Sequence, residues 1–192
     1  MKEKLSDQIN RMDRIISWVK VCDDKTSILL SVALLIPSIT IGTDWVLGKI
    51  QGILSLLIYA CQNSGEGYVF SVPNCLSLTF LIASLLFFVL SMIRFIKVLR
   101  AKIKENAYGN DVVSDSLIHF NNLAKIGSFK EYKQKVEEET DEAYYEDLLS
   151  QTYINAKRCA EKFAEYNAGM RHLCCAVAFL ILFIISLFFV SI

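Results

Sequence analysis

Residues 140–192 constrain the fold of this chain more than any other stretch. The last twenty of them, residues 173–192, are apolar apart from Cys174, Cys175 and two serines. Twenty helical residues rise about 30 Å, roughly the thickness of a bilayer's hydrocarbon core. The preceding segment, residues 140–172, is charged and amphipathic, and Gly169 is its only glycine or proline. One long helix is therefore expected, beginning in water and ending in lipid. Tyr145, Leu149, Thr152, Ala156, Cys159, Phe163, Tyr166, Met170, Leu173 and Val177 alternate spacings of four and three along it. That is a heptad seam, and a seam of this length demands helical partners.

Those partners identify themselves by hydropathy. The chain is 54% hydrophobic, with a mean hydropathy of +0.40, and the apolar residues gather in blocks. Residues 26–43 and 76–93 read as two further spans, which makes about three transmembrane helices with residues 173–192. The fold class expected is all-α: an integral membrane protein whose cytoplasmic helical bundle is formed partly by extensions of the spans. The formal net charge is zero, so bulk charge offers nothing to nucleic acid. The charge is instead segregated. Lys and Arg lie in residues 2–25 and again in residues 94–171, with Lys49 alone between them. By the positive-inside rule the N-terminus and residues 94–172 are cytoplasmic, and the C-terminus is outside. No secretory signal pattern is expected, because the apolar run begins only after about 25 mostly polar residues and no small-residue cleavage site follows it.

Six regions follow. Residues 1–25 form an N-terminal amphipathic cytoplasmic helix, with Leu5, Ile9, Met12, Ile16 and Val19 on one stripe. This helix is expected to pack into the bundle rather than lie on the membrane, because Glu3, Asp7 and Asp13 dilute its basic face. The first span, 26–43, contains Pro37, where a kink is expected. Residues 44–75 form an outer loop with a short apolar helix at 46–61, interrupted by Lys49 and Gln51, and glycines at positions 65 and 67. The second span, 76–93, is followed at once by a basic stop-transfer cluster that includes Arg94, Lys97 and Arg100. Residues 94–172 form a helical sensor region with a turn at 108–111. Within it, Ser128 and Glu131 have capping-box spacing, so a helix should start at Phe129 and end in the acidic run near residues 137–140. The third span is 173–192. Adjacent Asp23 and Asp24 point apart on a helix, so one of them should meet a cation from elsewhere, Lys162 or Arg171.

No catalytic constellation is present: no phosphate-binding glycine loop, no zinc-binding histidine pair and no nucleophile elbow. His119 and His172 lack spaced ligand partners, so neither a metal site nor an enzyme is expected. Cys22 and Cys159 read as small buried apolar residues. Cys174 and Cys175 are expected to pack. Cys61 and Cys75 flank the outer loop and are candidates for a disulfide if that side is oxidising.

Residues 18–30, WVKVCDDKTSILL, resemble the opening signature of the transmembrane effectors of Pycsar antiphage systems, with Asp23 and Lys25 at the matching positions. SLIHF at 116–120, the helix start at 128–132, DLLSQ at 147–151 and the Lys162–Phe163 pair resemble the second block of that family. The order of spans is similar. Asn167 stands where a basic residue is expected.

The resemblance implies a bacterial inner-membrane effector that works with a nucleotide cyclase. Cyclic CMP or cyclic UMP is the activating ligand rather than a cofactor. The activated protein impairs the inner membrane and causes abortive infection. The ligand's base would stack on Phe120 or Tyr153, and its phosphate would meet Lys25, Arg100 or Lys162 beside Asp23. A homo-oligomer is expected. The alternative reading is a structural or adaptor membrane subunit whose cytoplasmic helices dock a protein partner.

Overall fold

The structure, a computed structural model, describes residues 2–62, 71–100 and 112–190. The expected turn at 108–111, the loop glycines at 65 and 67 and the basic residues beyond Arg100 lie outside the described residues. Among the described residues there are six helices and no strand: α1 (Lys2–Ile41), α2 (Asp44–Gln62), α3 (Val72–Leu99), α4 (Phe120–Leu123), α5 (Phe129–Glu138) and α6 (Asp141–Leu187). The fold is all-α, and α1, α2, α3 and α6 are each long and apolar enough to cross a membrane.

Local chemistry sets the helix ends. α1 continues from the amphipathic segment through Pro37 without a break, so the first two expected regions are one helix. It stops where the N–H of Gly42 bonds back to the Ser38 carbonyl at 3.0 Å. A Cβ at position 42 would lie 2.7 Å from that carbonyl oxygen, so only glycine fits this close turn. Pro73 sits in the first turn of α3, where its missing N–H costs nothing. The Ser128 cap of α5 forms as expected, while the reciprocal Glu131 bond goes to the residue before the cap. Ser128 Oγ accepts from the Glu131 N–H at 3.2 Å, and the Glu131 carboxylate accepts from the Gly127 N–H at 3.3 Å. Thr140 caps α6 by accepting from the Ala143 N–H at 3.2 Å.

The chain forms two compact units, one of Met1–Asp24 with Arg100–Ala164 and one of Lys25–Leu99 with Glu165–Ile192. The second unit is the apolar one. Val46 and Ile53 of α2 are buried against Leu180, Phe183, Leu187 and Val190, with Ile36, Leu78 and Leu81 packed around them. A second cluster joins Ala33, Phe95 and Leu173 to Leu30, Phe88, Tyr166 and Val177. The expected seam therefore holds in this half of α6. Cys174 and Cys175 do not pack as expected. Both are exposed, because the buried face of α6 runs through Leu173, Ala176, Leu180 and Phe183, about half a turn away. Cys61 and Cys75 are free, exposed thiols.

A serine ladder ties α3 to α6, and the sequence reading did not single it out. Ser77, Ser84 and Ser91 are all buried and recur every seventh residue, which keeps them on one face of α3. Ser77 donates to Ser186 Oγ at 2.7 Å, Ser84 to the Ala176 carbonyl at 2.9 Å and Ser91 to the Gly169 carbonyl at 2.9 Å. Small residues let two helices approach closely, and each such bond contributes about 0.6 kcal/mol in a membrane. At the far end of the unit, Lys49 Nζ donates to the Val190 carbonyl just beyond the C-terminus of α6 at 3.0 Å. A cation there suits the negative end of a helix dipole.

Candidate functional site

The first unit buries polar residues where the heptad reading expected apolar ones. In the N-terminal part of α1 the inward stripe runs through Leu5, Gln8, Met12, Ile15, Val19 and Cys22, while Ile9 and Ile16 are exposed. In α6, Leu149 and Ala156 are exposed, and the buried residues are Asp147, Leu148, Ser150, Gln151 and Cys159. The shift has a hydrogen-bonding cause. Gln8 Nε2 donates to Thr152 Oγ1 at 2.8 Å. The irregular segment before α4 carries N–H groups that no helix satisfies, and α6 supplies their acceptors. The Val113 N–H donates to Ser150 Oγ at 3.0 Å and the Leu117 N–H to Asp147 Oδ2 at 3.0 Å. Ser116, itself buried, accepts from the N–H groups of Ile118 and His119 at 3.2 and 3.1 Å. Buried backbone donors must be paired, so these contacts outrank the apolar pattern.

Asp147 is the centre of this cluster. It is 2% exposed. Its Oδ1 has no hydrogen-bond partner among the described residues. Its charge reaches Glu139, whose carboxyl is pushed above the ordinary value first by burial and then by Asp147. Two acids are thus held close enough to feel each other.

A second feature of this unit is the ion pair between α1 and α6. Lys162 Nζ lies 2.6 and 2.8 Å from the two carboxylate oxygens of Asp23, as the isolated acidic pair led us to expect. Asp24 is exposed. Beside the pair, Cys22 and Cys159 are buried, in agreement with their reading as small apolar residues. Burial, partly offset by the charge of Lys162, pushes the Cys159 thiol above its ordinary value, which keeps it protonated and inert.

Of the expected ligand residues, the structure brings together Asp23 and Lys162 only. Tyr153 is 49% exposed, with Lys157 Nζ 5.4 Å from its ring centroid, and Phe120 is 64% exposed beside His119. Tyr153 and Lys162 are nine residues apart on α6, which places them on opposite helix faces and about 13 Å apart along the axis. Lys25 and Arg100 are exposed, and Lys25 belongs to the other unit. The residues that sequence reasoning missed as a site are Asp147, Ser150 and Ser116. The signal was available, since DLLSQ puts Asp147, Ser150 and Gln151 at i, i+3 and i+4, a polar stripe on one face of a helix. Its partner segment is the SLIHF stretch.

Comparison with known proteins bears on the whole chain. The family described as Pycsar effector protein domain (PycTM) matches residues 9–191. Among curated proteins, the Pycsar effector protein GmPycTM of Gulbenkiania mobilis is 29% identical over 181 residues, covering 92% of this chain and 88% of that protein. No solved structure matches significantly.

Proposed function

Because the chain belongs to the Pycsar transmembrane effector family, we propose that a cyclic pyrimidine mononucleotide, cCMP or cUMP, activates it and that the activated form impairs the inner membrane, ending phage infection by stopping the cell. The protein is an antiphage membrane effector of a non-enzymatic family. The observation that carries the finer reading is the extent of the match. It spans both the unit with buried polar groups and the unit with the apolar helices. Helices α1 and α6 each contribute to both units. A ligand shifts such an equilibrium only by binding one packing better than another. The signal would come from a nucleotide cyclase, and the damaging form is a homo-oligomer in this reading. The purified protein in liposomes should release trapped dye on addition of cCMP or cUMP and not on addition of the linear monophosphates. Dye retained with both cyclic nucleotides, although calorimetry detects binding, would sink the membrane-damaging step.

The proposed topology puts the N-terminus and residues 94–172 in the cytoplasm and the C-terminus outside. It is supported by a parity argument. Asp23 pairs with Lys162, and Gln8 bonds Thr152, so residues 1–24 and 112–164 share one side of the bilayer. The chain between them must cross an even number of times. Crossings by α1 and α3 satisfy this, and a third crossing by α2 breaks it. In this reading α2 returns to the side on which it began. This fits the packing of Val46 and Ile53 against the C-terminal end of α6. Cys61 and Cys75 test it, since both are exposed. In single-cysteine variants, a membrane-impermeant maleimide added to spheroplasts should label Cys61 as well as Cys75. Labelling at neither cysteine would mean that α2 crosses, because Cys61 and Cys75 flank the same short connection.

A further inference from the structure

Among the described residues, Asp147 is the one charged side chain of the first unit that is almost wholly buried, and it is half-satisfied. Its Oδ2 holds the Leu117 N–H at 3.0 Å, while its Oδ1 has no partner among the described residues. Leaving a carboxylate oxygen unpaired in a protein interior costs more than leaving a neutral group unpaired. The neighbouring hydroxyls of Ser150 and Ser116 accept from backbone N–H groups, and neither donates to Oδ1. Glu139 adds a second negative charge nearby. The cluster therefore offers an acceptor and repels anions.

We infer that Asp147 Oδ1 is a ligand-recognition atom that accepts a hydrogen bond from the nucleoside end of the activating ligand. The inference rests on the cyclic-pyrimidine reading above and deepens it. A cyclic phosphodiester has no donor at neutral pH and carries a negative charge, so the phosphate is excluded from this position. The donors left on such a ligand are the 2′-hydroxyl of the ribose and an N–H of the base, the exocyclic amine of cytosine or the ring N–H of uracil. Both are the same chemistry to a carboxylate oxygen. Occupation of Oδ1 also has a route to the rest of the unit. The other oxygen of the same carboxylate holds Leu117, and Ser150, one turn on, holds Val113, so a ligand at Asp147 engages the helix and the 113–119 segment together.

The test is Asp147→Asn in the full-length protein, in detergent. Asparagine keeps an acceptor for the Leu117 N–H and presents a donor in place of Oδ1. The apo protein should melt at the wild-type temperature or higher, because a buried unpaired charge is gone. Affinity for cCMP or cUMP by calorimetry should fall about 10- to 100-fold, the range of one charged hydrogen bond. The 2′-deoxy cyclic nucleotides separate the two donors. If the ribose hydroxyl is read, the deoxy ligand loses the same factor with wild-type protein and the variant adds no further loss. If the base is read, the losses multiply. Wild-type affinity retained within twofold by the variant, or a lower melting temperature with unchanged affinity, overturns the inference while leaving the activation reading intact. Failure of the wild-type protein to bind either cyclic nucleotide overturns both.

Discussion

Replacing Gly169 by leucine is expected to break the packing of α3 on α6. A Cβ at position 169 would lie 2.7 and 2.8 Å from two carbons of the Phe95 ring and 3.2 Å from Arg94 Cβ. Phe95 is 0% exposed, so its ring has nowhere to move. The Gly169 carbonyl also accepts from Ser91, and separating the helices removes that bond too. Leucine gains about 0.8 kcal/mol of helix propensity over glycine. Overpacking a tight core costs about 1–3 kcal/mol and occasionally more, and the lost interhelical bond adds about 0.6 kcal/mol. The net expected loss is about 1–3 kcal/mol, read as a lower melting temperature in detergent and proteolytic cleavage of α3. Gly169→Ala should fall between leucine and wild type. Phe95→Ala in the leucine background should recover part of the loss by making room. A leucine variant as stable as wild type would show that the close approach at Gly169 does not hold the unit.

Reversing the charge at Lys162 should be as damaging to the other unit. Lys162→Glu sets a carboxylate against Asp23, where the ammonium now lies 2.6 Å away, with the side chains 21% and 35% exposed. The loss of the pair and the new repulsion together should cost about 3 kcal/mol, below the limit for a fully buried pair because water screens both groups. The double variant Asp23→Lys with Lys162→Asp should regain most of it, since the attraction is restored with the ends exchanged. Equal stability of all three proteins by thermal melting would mean that the pair contributes nothing. The pair also bears on ligand binding. Lys162 uses two of its three N–H donors on Asp23, so a phosphate meeting it would share the ammonium with that carboxylate.

Several features of this protein were legible from residue order because they depend on local chemistry. The presence of long apolar helices follows from the hydropathy blocks, the start of α5 from the Ser128–Glu131 spacing and the burial of Cys22 and Cys159 from their type. The Asp23–Lys162 pair was legible as an electrostatic demand, since an acid at that level of a helix needs a cation. Other features were hidden. Ile9 and Ile16 fit an apolar stripe as well as Gln8 and Ile15 do, and hydropathy prefers the isoleucines. The choice fell to Gln8 because Thr152 stands opposite it at hydrogen-bond distance. Leu149 lost its place in the seam to Asp147 and Ser150 for the same kind of reason.

Sequence alone therefore determined that the chain is helical, that it enters a membrane and which family it resembles. Periodicity, span length and charge asymmetry are properties of neighbouring residues and need no partner to be read. Only the tertiary structure decided which face of each helix is buried and that three serines on α3 form a ladder to α6. It also decided that one oxygen of Asp147 is left without a partner among the described residues. Those outcomes depend on what lies across a contact. A buried polar group is fixed by the partner that satisfies it, and residues 117 and 147, or 91 and 169, become partners only when the chain has folded.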